Sequence, residues 1–198
     1  MSMQSLKIKE HIKEVQQILF SLPPYCIFIL LKNSNLKEEL NQWRIVLRRC
    51  ETNDFKLFCW LFFYLREYRS LFYYRIKGLA RFFRWYAPGQ YALSFECNSI
   101  GKCMIIQHGH STRLNMEYCG NYCQIWQNVT IGVAQSGGKR PKIGNNVKVC
   151  AGAIVLGDIT IGDNVTIGAG SVVVKSIPAN VTVVGNPARI IKQKQADK

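Results

Sequence analysis

The sequence predicts an α+β protein, an α-helical N-terminal region followed by a parallel β-solenoid, and three observations carry that reading. Six apolar residues stand six apart, Ile143, Val149, Val155, Ile161, Ile167 and Val173, with no slip. The first half lacks this repeat and instead spaces apolar residues by threes and fours. Pro88-Gly89 breaks the helical pattern between the two.

A strict period of six does not fit a helix of 3.6 residues per turn. It means a solenoid whose units pack on their neighbours. The fifth position of each hexad is Val147, Ala153, Ile159, Val165, Ser171 or Ile177. Anchor and fifth residue are an even number apart, so on an extended segment both leave by the same, interior, face. Gly144, Gly162 and Gly168, with Asn145 and Asp163, tolerate the tight backbone of a corner. Each hexad is thus a strand plus a corner. Three of them close a coil of about eighteen residues stacked roughly 4.8 Å from the next.

The N-terminal region is expected to occupy residues 1–88, with residues 1–20 an amphipathic helix in which Leu6, Ile8, Ile12, Val15, Ile18 and Leu19 oppose lysines and glutamates. Pro23 and Pro24 should end it. A second helix is expected from about Leu36 to Arg49, and Glu51 to Asp54 as a turn and cap. From Phe55 to Trp85 one helical face carries Phe58, Phe62, Leu65, Arg69, Phe72, Ile76, Leu79 and Phe83, broken only by Arg69. Aromatics and arginine stems there either pack on other helices or another subunit, or rest on an anionic membrane.

The solenoid is expected over 89–192 and a polar tail over 193–198. Two irregularities mark it. The step from Ile106 to Cys119 is thirteen, one residue more than two hexads, beside His108 and His110. From Gly132 to Lys142 the hexad pattern is lost although the length of two hexads is kept, which reads as a loop leaving the coil.

Lys and Arg number 26 against 12 for Asp and Glu, a net charge of +14 shared by both halves. Such a surface attracts anions. No recognition helix or RNA-binding motif accompanies it, so nucleic acid is not expected. Eight cysteines occur without a C-x-x-C pair or a signal peptide, which suits a reduced, cytoplasmic setting. The longest apolar runs fall far short of the roughly 20 residues that span a bilayer.

The repeats, the Ile100-Gly-Lys-Cys-Met-Ile-Ile-Gln-His108 stretch, the Ser136-Gly-Gly-Lys-Arg-Pro-Lys142 loop and Gly185-Asn-Pro-Ala-Arg189 resemble the serine O-acetyltransferase branch of the hexapeptide-repeat acyltransferases. The resemblance covers about residues 91 to 192. It implies a left-handed parallel β-helix and an enzyme that acetylates the hydroxyl of L-serine from acetyl-CoA, the step that leads to cysteine. It further implies a homotrimer or dimer of trimers, with the carrier lying in a groove between two subunits.

By that resemblance His108 is the general base, Lys139 and Arg140 meet the acceptor, and Gly132, Ala151, Ala169, Lys175 and Arg189 meet acetyl-CoA. Gly132 would donate its N–H to the oxyanion. The chemistry is sound independently: an imidazole with pKa near 6.5 can take a hydroxyl proton as oxygen attacks a thioester. A simpler reading of His108 is an outward corner residue, and of the alanines and Gly132 plain packing.

The sequence also departs from the branch. Gln107 stands where an aspartate is usual, another aspartate is replaced near Leu93 or Ser94, and Arg140 replaces a loop histidine. These losses keep open a sugar or capsular-polysaccharide O-acetyltransferase, and with it a peripheral membrane contact. Three histidines, one outside the solenoid, are too few for a metal-dependent hydratase, so no metal is expected. Cys103, Cys119, Cys123 and Cys150 raise an acyl-cysteine route, but none is paired with a base and direct transfer is preferred.

Overall fold

The computed structural model describes residues 3–193, and the chain divides into two compact units after Gly89. Of the expected tail, residues 194–198 lie outside the described residues.

Helix α1 (Met3–Leu30) runs straight through Pro23 and Pro24, which the sequence had marked as its end. A proline removes an N–H and leaves the carbonyl four residues back without its usual donor. For Pro24 that carbonyl belongs to Phe20, and the Tyr86 hydroxyl stands 3.5 Å from it as a substitute. Pro24 is itself buried, as is Ser21, whose hydroxyl donates to the Cys59 carbonyl at 3.2 Å. Tertiary contacts thus hold the helix where local preference would stop it. The apolar stripe falls on the unexpected side: Leu6, Ile8, Ile12, Val15 and Leu19 are exposed, and only Ile18 is half-buried.

Helix α2 (Ser34–Val46) is capped by Asn33, whose side chain accepts from the Asn35 N–H. Asn53, within the expected cap, accepts from Lys56 and starts α3 (Asp54–Tyr64). The long helix expected from Phe55 to Trp85 is in fact three. It breaks at Leu65, which is extended, and again at Lys77 (φ 50°), giving α4 (Arg66–Ile76), a 3₁₀ turn at Lys77–Ala80 and α5 (Arg81–Arg84).

Arg69, the odd member of the stripe, explains the first break. Its buried guanidinium donates from Nη1 to the carbonyls of Phe62 at 3.0 Å and Phe63 at 3.3 Å, groups that a helix ending at Tyr64 leaves without intrahelical donors. Phe58, Phe62 and Phe72 pack around them, with Phe58 stacked on Phe62 at 5.6 Å. Arg75 of α4 pairs with Glu39 of α2, both side chains buried. Burial pushes the Glu39 carboxyl up to about 7, against the pull of Arg75.

In the second unit the strands, numbered in chain order, form three sheets of parallel ladders. Sheet A holds β1 (Leu93–Phe95), β4 (Thr112–Leu114), β7 (Thr130–Gly132), β10 (Ile154–Leu156) and β13 (Val172–Val173). Sheet B holds β2 (Ser99–Ile100), β5 (Tyr118–Cys119), β8 (Lys142–Ile143) and β11 (Thr160–Ile161). Sheet C holds β3 (Ile105–Ile106), β6 (Gln124–Ile125), β9 (Lys148–Val149), β12 (Thr166–Ile167), β14 (Val181–Val184) and β15 (Arg189–Gln193). Only β15 is antiparallel, folding back on β14.

The repeat behaves as expected. Ile143 pairs with Ile161, Val149 with Ile167 and Val155 with Val173, one full coil apart each time. All six anchors are buried, as are the six fifth-position residues. The result is a three-sided solenoid of about five coils, consistent with the left-handed β-helix that the resemblance implies.

The corners where sheet B turns into sheet C are stitched by side chains. Asn121 receives the Lys102 N–H, Asn145 the Asn121 N–H and Asp163 the Asn145 N–H. Beside them Asn146, Asn164 and Asn180, all at positive φ, pass a bond from amide to amide at 2.9 and 2.8 Å. Gly162 is required there, because a Cβ would stand 2.5 Å from the Ala179 nitrogen.

Ile161→Ala, inside the prism, is expected to lower unfolding free energy by about 2–5 kcal/mol in chemical denaturation. Val174→Ala, on its exposed face, should change it by under about 0.5 kcal/mol. The raised Glu39 carboxyl means that the folded chain holds the extra proton. Its contribution is fully present below the ordinary value of 4.5 and is lost as pH rises through about 7. The thermal midpoint of the helical unit should therefore fall over that window, and Glu39→Gln should flatten the fall.

Candidate functional site

The three edges of the prism carry different chemistry. The edge where sheet C turns into sheet A holds His108, exposed and at φ 58°. From Ile106 to Leu114, the residue of β4 that faces the anchor Ile131, the step is eight, and from Leu114 to Cys119 it is five. Two residues are thus added at this corner and one is recovered at the next, which gives the single extra residue noted in the sequence.

Hydrogen bonds account for the bulge. The His108 carbonyl accepts from the His110 N–H, and the Asn128 N–H of the next coil bonds the His110 carbonyl at 3.0 Å. The link to the coil below therefore runs through His110, while residue 108 turns outward in a left-handed conformation. The Thr112 hydroxyl, 3.1 Å from the His110 carbonyl, fixes the far side.

Continuing the registers of β6, β9 and β12 two residues past the anchors brings Gln127, Ala151 and Ala169 into one file; above it the count from Ile106 reaches His108 while the bond from Asn128 reaches His110, so the bulge that carries both histidines heads the file. The bonds from Gly152 N to Gln127 O and from Gly170 N to Ala151 O, at 3.0 and 2.9 Å, tie it together. At one coil per roughly 4.8 Å, Ala151 and Ala169 lie about 10 and 14 Å along the edge from His108. At the C-terminal end of the stack, Lys175, at the corner where sheet A turns into sheet B, and Arg189, beside Val184 of sheet C, line one pocket of about 250 Å³ with Val174 and Pro187. The structure thus sets the histidine and the two alanines on one edge and gathers the two cations at the end of the stack.

Gly132, Lys139 and Arg140 lie elsewhere. They belong to the edge where sheet A turns into sheet B, the width of a three-residue strand, about 10 Å, from the His108 file. Gly132 is buried at the end of β7, paired with Leu156, and its carbonyl accepts from Gly157. The irregular loop projects here as expected. Lys139 pairs with Asp158 at 3.2 Å, and Arg140 donates to the Glu96 carbonyl and the Asn98 side chain, both at 2.8 Å.

The substitute carboxylates are on the same edge. Glu96 pairs with Arg113 at 3.0 Å and Glu117 with Lys142 at 3.6 Å, so neither orients His108 of its own chain. Of the four cysteines in question, Cys103, Cys119 and Cys123 are enclosed. The Cys123 thiol donates to the Gly144 carbonyl at 3.2 Å. Cys150, half-buried beside Ala151, has its thiol pushed up by burial. None of these four cysteines is exposed.

One residue of the file escaped the sequence reading. Gln127 stands two positions after its anchor Ile125, as His108 stands after Ile106 and Ala151 after Val149, and that common offset was the available signal. Its buried amide oxygen has no hydrogen-bond partner among the described residues.

The chain is similar to several known proteins. Residues 140–175 match the family model for the bacterial transferase hexapeptide (six repeats). Over 95 residues, 46% of this chain, it is 48% identical to a serine acetyltransferase of Synechococcus elongatus, of which the match covers 39%. The crystal structure of the Neisseria gonorrhoeae serine acetyltransferase superposes with TM-score 0.64 at 27% identity, over 81% of this chain and 66% of that one. The same enzyme in complex with serine gives 0.63 at 25%, over 91% and 74%. The chain spans less than half the length of the curated relatives it matches.

Arg140 ties the loop to the corner after β1, so Arg140→Ala should free it. Limited trypsin digestion is expected to cut after Lys139 several-fold faster in that variant, with thermal stability unchanged.

Proposed function

The chain belongs to the hexapeptide-repeat acyltransferases, with its solenoid on the serine acetyltransferase branch, and from that premise we propose that it transfers the acetyl group of acetyl-CoA to the hydroxyl of L-serine. The observation that carries the proposal is one edge that holds His108 at its upper bulge and Ala151 and Ala169 in file below it, on a stack whose end carries the Lys175 and Arg189 pocket.

In this reading the phosphates of the carrier meet Lys175 and Arg189, which have no acidic partner among the described residues. The pantetheine arm runs up the edge past Ala169 and Ala151, whose small side chains allow close approach, and brings the thioester toward His108. The His108 imidazole takes the proton of the serine hydroxyl as its oxygen attacks the thioester carbon. The C–S bond then breaks, and the imidazolium returns the proton to the departing thiolate. The products are O-acetylserine and coenzyme A.

Gly132, Lys139 and Arg140 border the same sheet A from its other edge. We place them in the site as the contribution of a neighbouring copy in a trimer, where one copy's loop edge meets another's His108 edge. Lys139 and Arg140 would then hold the serine carboxylate, each exchanging a bond within its own chain for one to substrate.

A second reading is favoured by one observation. Among the described residues, the two carboxylates considered as substitutes for the missing aspartates, Glu96 and Glu117, are committed to Arg113 and Lys142 and lie on the other edge of sheet A from His108 of the same chain. A sugar hydroxyl needs no carboxylate to hold an amino group.

Thiol release from acetyl-CoA, measured with L-serine and with a panel of sugars, separates the two. His108→Ala should lower kcat by about 10²- to 10⁴-fold with little change in KM for acetyl-CoA. Paired Lys175→Glu and Arg189→Glu substitutions should instead raise that KM. Turnover untouched by His108→Ala would remove the general base from the account.

A further inference from the structure

Between Glu67 and Glu96 the chain has no acidic residue, yet it carries five cations. Arg69 and Arg75 are used internally, the first on the carbonyls of α3 and the second on Glu39. The remaining three, Lys77, Arg81 and Arg84, are exposed around the 3₁₀ turn and α5. Among them project two large aromatics, Phe82 and Trp85, 56% and 81% exposed.

This segment is rigidly seated. Ala80, Phe83 and Ala87 are buried beneath it, the Tyr73 hydroxyl donates to the Ala87 carbonyl at 2.6 Å, and the Arg84 guanidinium lies 5.5 Å from the Tyr73 ring. The outward face is therefore held in place. Its one polar aromatic atom is also satisfied: the Trp85 indole N–H donates to the Phe82 carbonyl at 3.0 Å. An exposed indole with its donor paired internally can enter an apolar phase without the penalty of an unmade hydrogen bond.

We propose that Phe82 and Trp85, ringed by Lys77, Arg81 and Arg84, dock this protein on the surface of an anionic lipid bilayer. The rings enter the boundary between headgroups and acyl chains while the three cations meet lipid phosphates. Charge selects this occupant. The patch is of one sign, whereas the exposed apolar stripe of α1 is flanked by both signs, Lys7, Lys9 and Lys13 with Glu10 and Glu14. The inference stands apart from the acetyl-transfer reading, since none of these residues belongs to the solenoid.

Co-sedimentation of the full chain with phosphatidylcholine vesicles, and with vesicles that also contain phosphatidylglycerol, tests it. The wild-type protein should partition onto the anionic vesicles, and lose them as salt rises. Each cation near the surface is worth about fivefold in partition, so Lys77→Gln with Arg81→Gln and Arg84→Gln should lower binding about 100-fold. Phe82→Ser with Trp85→Ser should abolish it, and Trp85→Phe should remove the fluorescence quenched by brominated lipid. Matching circular dichroism and unchanged acetyl transfer to a soluble acceptor would exclude misfolding of the variants. Equal binding to neutral vesicles, no binding of the wild-type protein, or a concentration-dependent self-association abolished by the aromatic variant would each overturn the proposal.

Discussion

Everything in the second unit follows from one constraint, the parallel ladder that makes each residue answer to another one coil away. Ile143, Ile161 and Ile177 are bound to one another in this way, as are Val149, Ile167 and Val183. An inward position therefore stays inward down the whole stack, and so does a corner. The file of Gln127, Ala151 and Ala169, headed by the His108 bulge, follows the same rule. A groove that must hold a long extended molecule needs equivalent positions at regular intervals along a stiff body, which a ladder of backbone bonds supplies without any side chain devoted to it.

Departures from the ladder then become informative. At the His108 corner the register is kept by letting His110 make the bond to the next coil, which leaves a histidine backbone in the left-handed region. For a residue other than glycine that conformation carries a cost. The loop before Lys142 is the other departure, anchored by Arg140 on main chain and Asn98. The two irregularities lie on the two edges that bound sheet A, while the third edge, filled by asparagine ladders, is regular throughout.

The sequence made the solenoid legible because a period of six leaves no freedom: the anchors, the fifth positions and the extra residue near His108 could all be counted. The helical unit was harder to read. A spacing of threes and fours identified Phe58, Phe62 and Phe72 as core residues, yet it suggested one helix where Arg69 caps the carbonyls of a helix that has already ended. Pro23 and Pro24 misled for a similar reason, since the hydroxyl that attends the Phe20 carbonyl comes from Tyr86, 66 residues away in the chain. Likewise the apolar face of α1 was evident from spacing, but which face the fold covers depends on α3. Site residues divided along the same line. The resemblance named His108, Ala151 and Ala169, whereas the pairing of Glu96 and Glu117 with Arg113 and Lys142 needed three dimensions.

The hairpin of β14 and β15 has a consequence beyond closing the count of coils. A stack of parallel strands ends in a row of unpaired amides and carbonyls, and such a row invites another chain to continue it. By reversing direction, β15 covers the sheet C side of that row with a strand whose polarity a further coil could not match. The five exposed residues of β15 along the bottom of the prism thus serve as a terminator, and keep a fold well suited to endless growth from becoming a filament.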